Sequence, residues 1–156
     1  MKKPGSKGEH NLQKELKTEK RASTFYKTRL LNNLNSEMCS FIAKQEFVFI
    51  STSDSNGECD ASFRAGDSGF VEVLDKKTLL FPEYRGNGVL ASMGNISENP
   101  HIGMVFIDFY QSAIGLHVNG KAEILSREEL EADPDSSGKI KMALKKSGPP
   151  KPISWI

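Results

Sequence analysis

Two arginines in this 156-residue chain stand where a side chain could grip an anion. Arg85 follows the apolar run Thr78–Phe81 and opens Arg85-Gly86-Asn87-Gly88; Arg64 closes the segment Cys59–Arg64 and precedes Ala65-Gly66-Asp67-Ser68-Gly69. A guanidinium presents paired N–H groups that match two phosphate oxygens at once. Gly86 and Gly88 allow close backbone approach or unusual dihedrals. A helix beginning near Asn87 would add unpaired backbone N–H groups and the positive end of a helix dipole. Together Arg64, Arg85, Gly86, Asn87 and Gly88 describe a phosphate site. The same residues also read as an ordinary turn, with Asn87 capping the helix and both arginines paired with surface carboxylates.

The spacing admits a second phosphate chemistry. Gly86-Asn87-Gly88-Val89-Leu90-Ala91 has the form GxGxxA between a strand and a helix, and Asp108 follows about 20 residues later, as in a dinucleotide-binding fingerprint. The neighbouring connections oppose it: they are hairpin-length, whereas parallel strands need crossovers of a dozen residues or more. Pro82-Glu83-Tyr84-Arg85 also separates the first glycine from the strand.

The elements around these motifs are mostly strands. Phe47–Thr52 is a β-rich apolar run, Asn56-Gly57 supplies turn chemistry, and Cys59–Arg64 alternates, which predicts a hairpin. Phe70–Leu74 and Thr78–Phe81 predict a second hairpin across Asp75-Lys76-Lys77. A short helix over about Val89–Glu98, with Val89, Met93 and Ile96 on one face, stops at Asn99-Pro100 because the residue before proline avoids the helical region. His101–Phe109 reads as a strand buried on both sides or closing a barrel, and Ile114–Leu125 returns antiparallel with Ile114, Leu116 and Val118 alternating against Gly115, His117 and Asn119. Ahead of the strands, residues 12–34 predict a helix with Phe25, Leu30, Leu31 and Leu34 on one face, and Ser36–Gln45 a second helix capped by Asn35. Ser126-Arg127-Glu128-Glu129 is a capping-box pattern for a last short helix. Six strands joined mostly by hairpins predict a mainly β fold, an antiparallel barrel with N-terminal helices and one inserted helix.

Residues 1–11 form a polar basic tail expected to be disordered, 12–132 the domain, and 133–156 a linker-like segment ending in the strand-like ISWI. Residues 1–31 carry nine Lys or Arg against three Asp or Glu, and the remainder twelve against seventeen. The basic arm lacks interleaved aromatics and alternates in sign, so a solvated helix is expected and nucleic-acid binding is not. Cys39 and Cys59 have no ligand or framework spacing and read as reduced thiols of a cytoplasmic protein. No apolar stretch approaches the roughly 20 residues that span a bilayer, and no signal-peptide h-region is present, so no membrane association is expected. His101 reads as a strand-start residue and His117 as a surface or interface residue; no side chain stands out as an obligate acid or base, and the catalytic residues stay unassigned.

The succession QEFVFISTSDSNGECDASFRAGDSGFVEVLD, LLFPEYRGNG, ASMGNISENPHIGMVFIDF and GLHVNGKAEI, covering about Phe25 to Leu125, resembles the pyridoxamine 5'-phosphate oxidase-like family of FMN-binding split barrels. The resemblance implies a six-stranded antiparallel split barrel, a homodimer, and non-covalent FMN at the subunit interface. It implies that Arg64 grips the flavin phosphate, with further contacts from Tyr84, Arg85, Gly86, Asn87, Gly88 and Val89 and from Ser92 in the helix; Ser62, on the same strand face as Arg64, is an additional contact. It also implies an oxidoreductase acting on a small molecule or taking hydride from a nicotinamide. A flavin carrier or sensor without turnover, or a split barrel holding haem or a deazaflavin, are the alternatives. Family members continue beyond the point corresponding to Ile156 with another strand, so the chain reads as truncated. The segment DASFRAG differs from its counterpart in authentic pyridoxamine phosphate oxidases, so that substrate is not carried over.

Overall fold

The computed structural model describes residues 3–84, 86–125, 139–143 and 154–155. Helices α1 (Lys7–Glu15), α2 (Glu19–Arg29) and α3 (Ser36–Ile42) precede strands β1 (Phe47–Ser53), β2 (Cys59–Ala65), β3 (Glu72–Asp75) and β4 (Thr78–Pro82). Helix α4 (Ala91–Glu98), strands β5 (His101–Ile107) and β6 (Gly115–Leu125), then β7 (Lys139–Ala143) and β8 (Ser154–Trp155) complete the order.

All pairings are antiparallel and run in the order β2-β1-β5-β6-β7-β4-β3, with β8 on β6. The fold is the expected mainly β, antiparallel split barrel with accessory helices, and its sheet path is open, ending at β2 and β3. This topology removes the dinucleotide reading, since no parallel βαβ crossover frames Gly86–Ala91. Both hairpins form as expected: Ser53 pairs with Cys59 across the Asn56-Gly57 turn, where Gly57 takes φ +89°, and Glu72 pairs with Leu80.

Alternation decides which side chains enter the core. Val48, Ile50 and Thr52 of β1, Ile102, Met104 and Phe106 of β5, and Leu116 and Val118 of β6 are buried. All but Thr52 join Leu79, Phe81 and the α3 residues Met38 and Ile42 in one cluster. Strand β5 is buried on this side only; His101 on its other side is exposed and Gly103, Val105 and Ile107 are half-buried.

Several expectations are corrected. The N-terminal helix starts at Lys7, inside the segment expected to be disordered, because Ser6 accepts from the Glu9 backbone N–H while the Glu9 carboxylate accepts from that of Ser6, a complete capping box. The long helix over 12–34 is two helices broken at Leu16–Thr18, where Lys17 adopts φ +56°, and it ends at Arg29. Leu34 reaches the core from outside any helix, and Phe25 is exposed. The segment expected to be linker-like contains β7, which fills the place between β4 and β6, with Phe81 opposite Ile140 and Leu79 opposite Met142. The capping-box helix expected at Ser126 lies outside the described residues.

Candidate phosphate-binding site

Strand β2 alternates exposed and half-buried positions, so Asp60, Ser62 and Arg64 share one face. Its ladder with β1 sets Asp60 opposite Thr52, Ser62 opposite Ile50 and Arg64 opposite Val48, which places the three polar residues on the core side of an edge strand. Helix α4 covers them there. Asn95 donates from Nδ2 to Thr52 Oγ1 at 3.0 Å and Asn99 from Nδ2 to Ser53 Oγ at 2.9 Å, anchoring the helix over β1. The buried Ser92 then meets the β2 face.

The contacts form a continuous chain. Arg64 donates from Nε to Glu83 Oε2 at 3.1 Å, and from Nη1 to Ser62 Oγ and to the Phe63 carbonyl, both at 3.1 Å. Ser62 Oγ lies 3.0 Å from Ser92 Oγ, which donates to Asp60 Oδ2 at 3.2 Å. Ser92 has one hydroxyl proton and gives it to Asp60, so Ser62 donates to Ser92, and the polarity runs from Arg64 through both hydroxyls to Asp60. Glu83 is 9% exposed and closes the other end of the chain. Nη2 of Arg64 has no partner among the described residues.

The structure thus brings together Ser62, Arg64 and Ser92 of the expected site. Tyr84, Gly86, Asn87, Gly88 and Val89 lie in an exposed loop that leaves β4 directly after Glu83 and makes no hydrogen bond to the chain of contacts among the described residues. Arg85 lies outside the described residues. Asn87 does not cap a helix: its Oδ1 accepts from the Val89 N–H at 2.9 Å, and α4 begins only at Ala91, behind Leu90 at φ +57°. The left-handed Leu90 breaks the register between loop and helix. Val89 therefore points away from the face shared by the half-buried Met93 and the buried Ile96, and is itself exposed. Gly88 takes φ +81°, a conformation that favours glycine, whereas a Cβ at Gly86 would meet nothing within 4 Å. Asp60 and Glu83 were not foreseen. The alternation of Asp-Ala-Ser-Phe-Arg puts Asp60 in phase with Ser62 and Arg64, and that signal was available in the sequence.

As an anion site the donor set fits in part. Arg64 retains both Nη2 hydrogens, and Leu90 supplies no side-chain bond to the first turn of α4, so helix N–H groups remain for an acceptor. Two carboxylates stand against it. Among the described residues no group of three or more His, Cys, Asp or Glu could hold a metal ion, and no helix is long and apolar enough to cross a membrane.

The opposite face of β2 is different in kind. Phe63 packs with Phe49 and Phe47 of β1 at centroid distances of 5.5 and 5.6 Å, and Phe109 stacks on Phe47 at 6.1 Å. Phe49 is 41%, Phe63 54% and Phe109 58% exposed. A cavity of about 830 Å³ adjoins this face between the sheet and α2, lined by Phe25, Tyr26, Phe49, Ala61, Gly103 and Val105. This cavity is on the side of the sheet away from Arg64. The loop after β5 is held by Asp108, whose carboxylate accepts from the backbone of Tyr110, Gln111 and Ser112 and from the Ser112 hydroxyl.

A family model described as pyridoxamine 5'-phosphate oxidase matches residues 34–152. The chain is similar in fold to three crystal structures. The HupZ protein of Group A Streptococcus is 19% identical with a TM-score of 0.55, over 72% of this chain and 90% of that one. A candidate pyridoxamine 5'-phosphate oxidase of Lactobacillus delbrueckii is 18% identical with a TM-score of 0.57, over 76% and 97%. An FMN-binding protein of Syntrophomonas wolfei is 15% identical with a TM-score of 0.51, over 76% and 82%. No curated protein matches the chain.

Proposed function

Because the chain belongs to the pyridoxamine 5'-phosphate oxidase family, we propose that it is a flavoprotein that binds FMN non-covalently and acts as an oxidoreductase in the cytoplasm. The observation that carries this reading is Arg64, fixed on β2 beside Ser62 and Ser92 with Nη2 left to donate. A guanidinium pinned through Nε and Nη1 loses little further side-chain freedom when Nη2 meets a phosphate, which favours binding. The first turn of α4 adds backbone donors beside Ser92. The loop from Tyr84 to Val89, with Arg85, supplies the remaining phosphate contacts.

The exposed aromatic face of β1 and β2, opposite the Arg64 face, is the contact surface of a homodimer. Grouped, partly exposed phenylalanines on one sheet face are what a subunit contact desolvates. When bound, FMN supplies the hydride and electron chemistry, and the protein supplies position and water exclusion. The substrate is a small molecule or a nicotinamide reductant, and neither His101 nor His117 is given a catalytic role. A fold neighbour named as an FMN-binding protein is consistent with this reading.

The visible spectrum of the purified protein, with mass spectrometry of what heat releases, tests the proposal. Flavin bands and released FMN are expected, followed by reduction of the bound flavin on addition of NADH or NADPH. Bound flavin that no nicotinamide or small-molecule donor reduces would indicate a carrier or sensor. A Soret band would indicate haem instead, and a colourless protein that takes up no added FMN would overturn the reading.

A further inference from the structure

The contacts tie Arg64 directly to the Glu83 carboxylate and, through Ser62 donating to Ser92 and Ser92 donating to Asp60, to a second carboxylate. An arriving phosphate meets a site whose anion-binding capacity is partly taken by the protein itself. Glu83 is the decisive member. Its carboxylate sits 3.1 Å from Arg64 Nε on the strand end that leads into the loop at 84–88, and it is almost wholly shielded from water. Shielding weakens solvent screening of its charge. Asp60 acts at longer range, through Ser92 and Ser62.

Resting on the FMN reading above, we infer that Glu83 determines how strongly the site selects a phosphorylated flavin over an unphosphorylated one. It clamps Nε so that Arg64 stays in place for any ligand, and its charge offsets that of the guanidinium, so the phosphate gains less than the arginine alone would give. Discrimination between FMN and riboflavin is therefore held down in the native protein. Glu83→Gln keeps an acceptor oxygen for Nε and removes the negative charge at nearly unchanged shape. Coulomb's law gives a unit charge and a phosphate dianion separated by about 6 Å a repulsion equivalent to about tenfold in binding even in a water-like medium, and more where water is excluded.

The test is titration of FMN and of riboflavin into the flavin-free native protein, Glu83→Gln and Asp60→Asn, by quenching of flavin fluorescence, with circular dichroism to verify folding. The expected result is a ratio of riboflavin to FMN dissociation constants that rises about tenfold in Glu83→Gln, with riboflavin affinity unchanged, and by a smaller factor in Asp60→Asn. A native protein that binds FMN while the ratio in Glu83→Gln stays the same or falls overturns the inference and leaves the FMN reading standing. If neither the native protein nor either variant binds FMN, the FMN reading itself fails and the inference with it. Should Glu83→Gln not fold, Asp60→Asn decides: an unchanged ratio there overturns the proposal.

Discussion

Replacing Arg64 by alanine should separate the phosphate contact from every other contribution to flavin binding. The side chain serves two tasks, and their magnitudes can be worked separately. Donation from Nη2 to a phosphate oxygen is a charge-assisted hydrogen bond, contributing about 1.5–3 kcal/mol, so FMN affinity should fall about 10- to 160-fold. Loss of the cation also removes the ion pair between Arg64 and Glu83. Arg64 and Glu83 side chains are 18% and 12% exposed, between the surface pairs that contribute little and the buried pairs whose rupture is severe, so unfolding stability should drop by about 1–3 kcal/mol. The assay is a paired titration with FMN and riboflavin at a temperature and denaturant concentration where circular dichroism shows the variant folded. Riboflavin carries the same ring without the phosphate and should lose little affinity. Equal losses for both flavins would refute the reasoning, because they would trace the effect to distortion of β2 rather than to a phosphate contact.

Phe63→Glu puts a charge in the middle of the exposed aromatic face without touching the core, so sedimentation velocity should find the native chain dimeric and the variant monomeric with an unchanged far-ultraviolet spectrum; an unaltered sedimentation coefficient would remove this face from the interface. The Asp108 carboxyl is lowered from 3.8 to about 2, first by the Gln111 backbone N–H and then by the Ser112 hydroxyl, with desolvation opposing and the Tyr110 and Ser112 N–H groups adding to the effect. A depressed folded-state value means that its support of the loop is complete above the unfolded value of 3.8 and is lost as pH falls through about 2. Carboxyl-carbon NMR should show that titration, and a midpoint near 3.8 would show that the loop bonds do not form in solution.

The strands were legible because period-two alternation and turn residues are local signals. Phe47–Ser53, the Asn56-Gly57 turn and Gly115–Leu125 follow from them directly. Strand β7 carries a similar alternation, Lys139-Ile140-Lys141-Met142-Ala143, but lies among lysines and the Gly-Pro-Pro of a linker-like stretch. Only the vacant place between β4 and β6 gives it a pairing partner on each side. At the site, Ser62 and Arg64 were readable because they share a strand face. That Glu83 would turn back onto Arg64 was not, since the two belong to different hairpins separated along the sheet path, and only the closure of the fold brings them to 3.1 Å. The helix start is displaced for a similar reason. Asn87 has the chemistry of a cap but bonds locally to Val89, while a left-handed Leu90, for which the sequence gives no cue, delays α4 to Ala91.

Strand β2 joins these observations. It is an edge of the open sheet path, so nothing on that path pairs its free side, and its attachment beyond β1 runs through side chains: Asp60 and Ser62 to Ser92 of α4, and Arg64 to Glu83 at the end of β4. The residues that close the split are therefore the residues proposed to hold the phosphate. A ligand on Arg64 and Ser92 would tie β2 to α4 more firmly, and by linkage a hundredfold excess over its dissociation constant adds about 2.7 kcal/mol to the stability of the bound form. Because side chains alternate along a strand, the opposite face of the same seven residues carries Phe63 and the aromatic surface proposed for the second subunit. Phosphate binding, closure of the barrel edge and subunit contact thus converge on one strand. A substitution on either face of β2 that shifts its backbone would disturb all three, whereas Glu83→Gln, in the segment that follows β4 and conservative in shape, leaves β2 itself and its aromatic face unchanged.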